Sequence, residues 1–182
     1  RMIWVTNMDD DNASFRQVVV DLQELYGKKI APLHLPIREN GQFVGYVNVI
    51  QMKAKRWKED GTVDKTDVPD YSFENLEICR EALLESVAET SEEYMDRYFS
   101  GDTFSENEIR QVLHTNVCDG SMVPISMASG TMAKGIYTLL DDIVKYLPSP
   151  EKKQCKAINI KTNEVYDADF NFAKAKSAYV FK

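Results

Sequence analysis

The sequence predicts an α/β protein with an α+β insertion, that is, a parallel sheet interrupted by a β-meander and helices. Two short apolar runs, at 2–6 and 121–127, each lead into a polar loop and then a helix, which is the repeating unit of a parallel sheet. Between them, residues 32–57 are rich in β-branched and aromatic residues that alternate with polar ones, as in antiparallel strands. Residues 72–120 then carry three helical segments.

The first strand and helix have clear boundary signals. The run MIWVT at 2–6 predicts a buried strand that ends in a loop. Ser14 and Gln17 form an S-x-x-Q capping pattern, and the apolar residues that follow lie on one face of a helix. Gly27 is expected to end this helix, because glycine readily adopts the left-handed conformation of a C-terminal cap.

The middle of the chain is expected to form strands first and helices afterwards. Residues 32–57 predict an antiparallel meander with a turn at 39–41. Residues 58–71 are charged and contain glycine and proline, which predicts a solvent loop. Three helices follow, the first running to about Ala88. Capping residues mark their starts: Ser72, Thr90 with Glu93, and Ser105 with Glu108.

A strand and a strongly amphipathic helix close this part of the chain. Residues 121–127 predict the strand, which ends in a turn at 128–130. The helix after it has apolar residues at helical spacing: Ile136, Leu139, Leu140, Ile143, Val144 and Leu147. Pro148 and Pro150 end it. The following residues are polar up to an apolar run at 178–181, which predicts a single terminal strand and thus the start of a truncated second domain.

Composition indicates a globular chain with an acidic surface. The net charge of −7 argues against tight sequence-independent binding to nucleic acid, because phosphate contacts need clustered Lys and Arg. Sequence-specific DNA binding is not expected either, although the basic run at 53–58 leaves contact with RNA or another acidic partner open. No run approaches the roughly 18 consecutive apolar residues of a membrane-spanning helix, so no membrane partner is expected.

The cysteines and histidines predict a reducing compartment and no metal site. The chain has three widely spaced cysteines outside any C-x-x-C pair: Cys79, Cys118 and Cys155. This pattern favours free thiols and a cytoplasmic location. His34 and His114 have no cysteine or carboxylate at ligand spacing, so neither predicts a zinc site. The three aspartates at 9–11 precede a helix, where negative charge is favourable in any case. We predict no catalytic residue and no metal ligand.

Two loops that follow strands carry the candidate site. WVTNMD at 4–9 and PISMASG at 124–130 each lie between a strand and a helix, and this arrangement resembles the base-recognition half of a GTPase. In that family the first loop reads N-K-x-D and the second S-A-x. The resemblance implies that Asp9 accepts two hydrogen bonds from guanine, a task suited to a carboxylate with two adjacent acceptors. A backbone N–H of the second loop would meet the guanine carbonyl.

Much of the remaining chain resembles the elongation factor G family of translational GTPases. The resemblance covers about residues 2–150 and 177–182. It is carried by these segments: FRQVVVDLQELYGKKIAPLHLPIRENGQFVGYVNVIQMKAKRW, ICREALLESVAETSEEYMDRYFSGDTFSENEIRQVL, GIYTLLDDIVKYLPSP and SAYVFK. Among them LLDDIVKYLPSP is the most specific, being similar to the family's closing-helix pattern L-L-D-x-V-x-x-Y-L-P-S-P.

The family pattern V-N-K-M-D also shows where this chain departs. Thr6 occupies the Asn position and Asn7 the Lys position, so only Asp9 keeps its chemistry. In the second loop Ser129 matches the family's Ser, while Gly130 replaces Ala and keeps the backbone N–H. The resemblance therefore implies that these five residues form the guanine-binding site.

The motifs that hold phosphate and magnesium do not occur in this chain. It contains no G-x-x-x-x-G-K-[ST] and no D-x-x-G, so GTP hydrolysis by the chain alone is not expected. The resemblance implies that the intact protein binds GTP or GDP with Mg²⁺ held elsewhere, and that the fragment alone takes no cofactor. It implies a partial P-loop GTPase sheet at 1–33 and 121–150, an inserted subdomain at 34–120, and a linker with the first strand of a barrel domain at 151–182.

The resemblance also implies partners. The expected partner is the ribosome, with its stalk protein contacted by the inserted subdomain. The altered Thr6 and Asn7 favour a divergent member of the family over the housekeeping translocase, and one alternative is a ribosome-protection protein of the tetracycline-resistance type. Another is a standalone interaction module without a nucleotide role.

Overall fold

The structure, a computed structural model, describes residues 1–58, 62–149 and 155–168. The chain divides into two compact units, residues 1–147 and 148–182. The strands are β1 (Ile3–Val5), β2 (Ile30–Pro32), β3 (His34–Glu39), β4 (Gln42–Asn48), β5 (Lys53–Trp57), β6 (Val63–Thr66), β7 (Val123–Met127), β8 (Cys155–Ile158) and β9 (Val165–Ala168). The helices are α1 (Phe15–Tyr26), α2 (Phe73–Ala88), α3 (Glu92–Phe99), α4 (Glu106–Asp119) and α5 (Ile136–Tyr146).

A three-stranded parallel sheet forms the centre of the first unit, in the order β1-β7-β2. Strand β7 is central and all five of its residues are buried, as expected for a parallel strand covered on both faces. Val5 pairs with Met127, so β1 and β7 end side by side at the carboxyl edge of the sheet. The loops that follow the two strands therefore start from neighbouring points.

An antiparallel meander, β3-β4-β5-β6, and three helices lie between β2 and β7 in the chain. The mixed architecture confirms the predicted α/β class with an α+β insertion. The turn between β3 and β4 uses Asn40 and Gly41, both at positive φ (49° and 77°), which matches the twist of a tight hairpin. The core contains the largest fully buried side chains of both layers, among them Phe43, Leu76 and Ile125.

The expected solvent loop over 58–71 is wrong in part, because residues 63–66 form the edge strand β6. This strand is held by its ladder with β5 and by an ion pair in which Lys58 Nζ lies 2.8 Å from Asp64 Oδ1. Three of its four residues are exposed, so it has no alternation of apolar and polar positions from which it could be predicted. Charged residues are common on such edge strands.

The helix starts differ in detail from the predicted caps. The capping box of Ser105 with Glu108 is confirmed, with both reciprocal hydrogen bonds present. The box of Thr90 with Glu93 is wrong: Ser91 caps α3 by accepting from the Tyr94 N–H, and the Thr90 hydroxyl donates back to the Val87 carbonyl. The predicted cap is wrong by one residue, because the sequence alone allows either the Thr90 or the Ser91 hydroxyl to cap the helix.

Two further boundary signals are met only partly. Helix α2 starts directly after Ser72, but this buried side chain makes no capping bond, because a short 3-10 turn, Asp70–Ser72, leads into the helix. Helix α1 is capped by Ser14, which accepts from the Gln17 N–H, and ends at Gly27 with φ 76° as predicted. The Gln17 side chain donates to Asp21 rather than completing a reciprocal box.

Helix α5 exposes much of its apolar stripe. Leu140 and Val144 are 51% and 82% exposed, whereas Asp142 and Tyr146 are buried. An amphipathic helix normally buries its apolar side. Here the buried polar side packs on the meander and β7 through Asp142, and the apolar stripe faces outward.

The second unit contains an antiparallel hairpin of β8 and β9. The expectation of a single strand beyond Pro150, at 178–181, is therefore wrong, because residues 155–158 and 165–168 also form strands. The hairpin is closed by a bond from the Asn159 N–H to the Glu164 carbonyl and by Asn163 at φ 56°. Polar turn residues separate two short β-prone runs, a hairpin signal that the Lys-rich composition masks. The predicted strand at 178–181 lies outside the described residues. Within the described residues, no helix combines the length and apolar character needed to cross a bilayer.

A buried polar cluster joins the meander to the parallel sheet. His34 of β3 lies 3.4 Å from Asp142 Oδ2, and the Ser126 hydroxyl of β7 donates to the same oxygen at 3.0 Å. Burial lowers the pKa of His34 to about 3 and raises the pKa of Asp142 to about 7. Between these two values both groups are therefore neutral in the folded protein, which avoids the cost of burying separate charges. The ring of Tyr46 packs edge-on against His34 at 5.0 Å.

We expect Asp142→Asn to change how stability depends on pH. Because the folded-state pKa of Asp142 is raised, its contribution is fully present below its unfolded-state value and is lost as pH rises through about 7. Relative to wild type, the Asn variant should therefore gain stability as the pH rises from about 4 to about 7, by an amount on the order of a few kcal/mol. Urea unfolding at several pH values measures this. A gap to wild type that stays constant across this pH range for Asp142→Asn would contradict the assignment.

Candidate functional site

The two predicted loops lie side by side at the carboxyl edge of the parallel sheet. The Ala128 N–H donates to the Val5 carbonyl at 2.9 Å, which extends the β1–β7 ladder by one residue. The Met8 N–H in turn donates to the Ala128 carbonyl at 3.4 Å, and the Met8 side chain is buried. These backbone bonds fix the position of Asp9 relative to Ser129.

A side-chain hydrogen bond links Asp9 directly to the second loop. The Thr131 hydroxyl donates to Asp9 Oδ2 at 2.6 Å, and the Ser129 and Thr131 hydroxyl oxygens are 3.1 Å apart. The hydroxyls of Ser129 and Thr131 lower the pKa of Asp9, so its carboxyl stays ionised near neutral pH. The other oxygen, Asp9 Oδ1, is shielded from solvent and has no hydrogen-bond partner among the described residues. An ionised carboxylate with an unused acceptor can recognise two adjacent N–H donors.

Thr6 and Asn7 contact each other rather than the second loop. The Thr6 hydroxyl donates to Asn7 Oδ1 at 2.8 Å, and both residues are exposed. Asn7 adopts a left-handed backbone with φ 58°, which asparagine tolerates better than most residues, and its carbonyl accepts from the Asp10 N–H. The structure therefore brings Asp9 and Ser129 together and leaves Thr6 and Asn7 on the surface beside them. Gly130 is exposed at the tip of the second loop.

The second loop contains two residues that the sequence analysis missed, Thr131 and Lys134. A pair of backbone bonds between Ser129 and Lys134 closes the loop, at 2.9 and 3.1 Å. The Lys134 ammonium donates to the Phe43 carbonyl of β4 at 3.1 Å and lies 5.9 Å from the ring centroid of Trp57. The position of Lys134 just before the closing helix is the sequence signal that could have indicated its contact with the meander. Thr131 gives no such signal, because its position in S-A-x is open to any residue.

The first loop is also tied to the meander, through Arg38 of β3. Its guanidinium donates to the Ala13 carbonyl at 3.1 Å and to the Gly41 carbonyl at 2.9 Å. It also lies 3.4 Å from Asp11 Oδ1. Each loop is thus linked to the β3–β4 hairpin by one cationic side chain: Arg38 extends from the hairpin toward the first loop, and Lys134 extends from the second loop to the hairpin.

The site is defined by hydrogen-bond geometry and not by a deep cavity. A cavity of about 480 Å³ lies instead at the amino edge of the sheet, lined by Tyr26, Gly27, Lys28, Lys29, Ser86, Glu89, Thr90 and Ser121. Residues 26–29 and Ser121 lie just before β2 and β7, whereas Asp9 and Ser129 follow β1 and β7. No three His, Cys, Asp or Glu side chains gather as metal ligands in the part of the chain that the structure describes.

Comparison with known proteins identifies the family. No family model matches the chain. Over 152 residues, or 82% of its length, the chain is 36% identical to the elongation factor G of Thermotoga maritima. The elongation factor G of Thermotoga sp. strain RQ2 matches with the same identity and coverage. The chain belongs to the elongation factor G family. It spans 22% of the length of these curated relatives.

A solved structure matches the same fraction of this chain as the curated relatives do. A crystal structure of a Thermus thermophilus protein superimposes with a TM-score of 0.71 and is 31% identical in sequence. The match covers 82% of this chain and 22% of that one. The sequence comparison and the structural comparison therefore match equal shares of this chain and of the longer protein.

Within this elongation factor G-like chain, Gly135 has a backbone that only glycine fits without strain. Its φ is 85°, and a Cβ placed there would lie 2.9 Å from the Met127 carbonyl oxygen and 3.0 Å from the Ala128 Cβ. At Gly130, by contrast, a Cβ would meet nothing within 4 Å and φ is not in the left-handed region. The close approach of Gly135 lets the second loop return onto the end of β7 before α5 starts.

We expect Gly135→Ala to lower the free energy of unfolding by about 1–3 kcal/mol, because it adds a left-handed strain and a backbone contact. Gly130→Ala is the matched control and should change stability by less than about 0.5 kcal/mol. Urea unfolding of both variants measures the difference. Equal effects at the two positions would show that the close approach to Met127 does not constrain the loop.

Proposed function

We propose that this chain is the guanine-recognition part of a GTP-binding translation factor of the elongation factor G type. One observation carries the proposal: the ionised Asp9 carboxylate is held against the second loop by Thr131, with Oδ1 lacking a partner among the described residues. In this assignment Asp9 accepts from the two N–H groups on the guanine edge. Ser129 and Gly130 offer the backbone of the second loop, while Thr6 and Asn7 border the base. The two acceptor oxygens of Asp9 fit guanine better than adenine, whose corresponding edge carries an acceptor.

The same chemistry limits what the chain does alone. A hydrogen bond to a charged group contributes about 1.5–3 kcal/mol, so two of them fall short of the roughly 8 kcal/mol of a micromolar complex. The remaining affinity has to come from phosphate and Mg²⁺ contacts, for which this sequence has no motif. We assign those contacts, and hydrolysis of GTP, to other parts of the intact protein.

The exposed stripe of α5 supports this division. Leu140 and Val144 project from a helix whose opposite side is buried. In the described part of the chain, β1 and β2 each pair on one side only, and such short parallel sheets are rarely stable without further cover. We propose that the phosphate-binding half of the intact protein packs on this stripe.

The proposed partner is the ribosome, with cytoplasmic translation as the setting. The inserted subdomain, residues 34–120, is the surface we assign to the ribosomal stalk protein. Its helices α2 and α3 expose a set of carboxylates that suits a basic partner: Glu74, Glu77, Glu81, Glu92 and Glu93. A ribosome-protection protein would use the same inserted subdomain and the same guanine nucleotide. The reading frame upstream of Arg1 separates these functions from a standalone interaction module, since only a GTPase requires the two phosphate motifs there.

We expect Asp9→Ala to lower the affinity of the intact protein for GDP by about 100-fold or more, because two charge-assisted hydrogen bonds are lost. Asp10→Ala is the matched control: it removes an equal charge from an exposed neighbour whose carboxylate accepts from the Asn12 N–H. Calorimetric titration with GDP measures both. The isolated chain should bind GDP more weakly than micromolar, and either tight binding by it or wild-type affinity in Asp9→Ala would contradict the proposal.

We expect glutamate at Leu140 or Val144 to act differently in the two contexts. In the isolated chain, each substitution should change stability by less than about 0.5 kcal/mol and reduce self-association, because the positions are exposed. In the intact protein, each should destabilise by about 1–3 kcal/mol, because it buries an unpaired charge. Urea unfolding and light scattering measure these effects. Leu25→Glu, at a 74% exposed leucine on α1, should be tolerated in both, and tolerance of all three in the intact protein would show that the stripe stays uncovered.

A further inference from the structure

We propose that Thr131 is a positioning residue that orients the Asp9 carboxylate and thereby sets the preference of the site for a base with a 2-amino group. The inference rests on the proposed function, since it assigns a role within the same guanine site. Thr131 lies one residue beyond the predicted second-loop residues Ser129 and Gly130.

The hydrogen bonds around Thr131 form a chain with one possible direction. The Met132 N–H donates to Ser129 Oγ at 3.1 Å, and the Thr131 hydroxyl donates to Asp9 Oδ2 at 2.6 Å. A hydroxyl has a single hydrogen to donate, so the Ser129 hydroxyl has to donate to Thr131 Oγ1, 3.1 Å away. Every donor therefore points toward the carboxylate. The chain starts at a backbone amide and a fully buried serine, which makes it a rigid support.

This support leaves the acceptors of Asp9 available for a base. The bond from Thr131 occupies one lone pair of Oδ2, and the second lone pair and the whole of Oδ1 remain. A fixed carboxylate plane matters for a contact to two adjacent N–H groups, because both bonds need good angles at the same time. A contact to a single N–H group tolerates rotation of the carboxylate much better.

Thr131 also compensates for the weaker first loop. Thr6 and Asn7 are exposed and bond to each other, so the described contacts of their side chains do not brace Asp9. Asp9 and Thr131 are 122 positions apart, and their bond joins side chains of the two loops. Orientation of the carboxylate thus comes from the second loop.

The test compares GDP with inosine diphosphate, which lacks the 2-amino group, in the intact protein. Thr131→Val keeps the shape of the side chain and removes the hydroxyl, whereas Thr131→Ser keeps the hydroxyl. Loss of one charge-assisted bond should weaken GDP binding by about tenfold in the Val variant, and binding of inosine diphosphate by less than about threefold. The Ser variant should retain wild-type affinity for both nucleotides. Titration calorimetry measures the four variant–ligand pairs, and Thr131→Ala repeats the comparison without the branched side chain.

A drop in the ratio of GDP to inosine diphosphate affinity, restored by Ser, supports the inference. An unchanged ratio overturns it, whether both affinities stay at wild-type values or fall by the same factor, since equal losses indicate a structural role. Failure of the proposed function gives a different result. In that case the wild-type intact protein shows no preference for GDP, and both proposals fall.

Discussion

The parallel pairing of β1 with β7 is the constraint on which the rest of the site depends. It places Val5 beside Met127 and continues through the bond from the Ala128 N–H to the Val5 carbonyl. Parallel strands end at the same edge of a sheet, so two loops that are far apart in sequence leave it together. Asp9 and Thr131 meet at 2.6 Å because of this register. A shift of one residue would turn the side chains of β1 to the opposite face and move Asp9 out of reach.

The meander contacts both loops of the site and also packs on the parallel sheet. Arg38 of β3 donates to the Ala13 carbonyl behind the first loop, and Lys134 of the second loop donates to the Phe43 carbonyl of β4, so each loop is anchored to the same hairpin. Further along the hairpin, His34 reaches Asp142 and Ser126 in a fully buried cluster. Keeping that cluster neutral removes most of the desolvation cost that a buried ion pair would carry. The insertion is thus part of the support of the site.

The sequence was sufficient for the class, the two loops and most element boundaries, because those depend on local signals. Gly27 and the Ser105 box act within one helical turn, and β7 is buried on both faces. Strand β6 was missed because an exposed edge strand has no apolar face to impose alternation. Ser91 caps α3 while Thr90 bonds back to the Val87 carbonyl, and the sequence alone does not distinguish two adjacent hydroxyls. The role of Thr131 was not predictable, since the bond joins residues 122 positions apart and exists only once β1 and β7 are paired.

Two features of the folded chain are unfavourable by themselves, and the proposed function supplies a neighbour for each. Asp9 Oδ1 is shielded from water without a hydrogen-bond partner among the described residues. The apolar stripe of α5 stays in contact with water, at about 25 cal/mol for each Å² left exposed. A base edge would satisfy the oxygen, and a packed domain would cover the stripe. Binding of a base and packing of a domain are independent, because Asp9 Oδ1 lies in the loop after β1 and the apolar stripe lies on α5. Both unfavourable features are therefore separate reasons to regard the chain as one part of a larger nucleotide site.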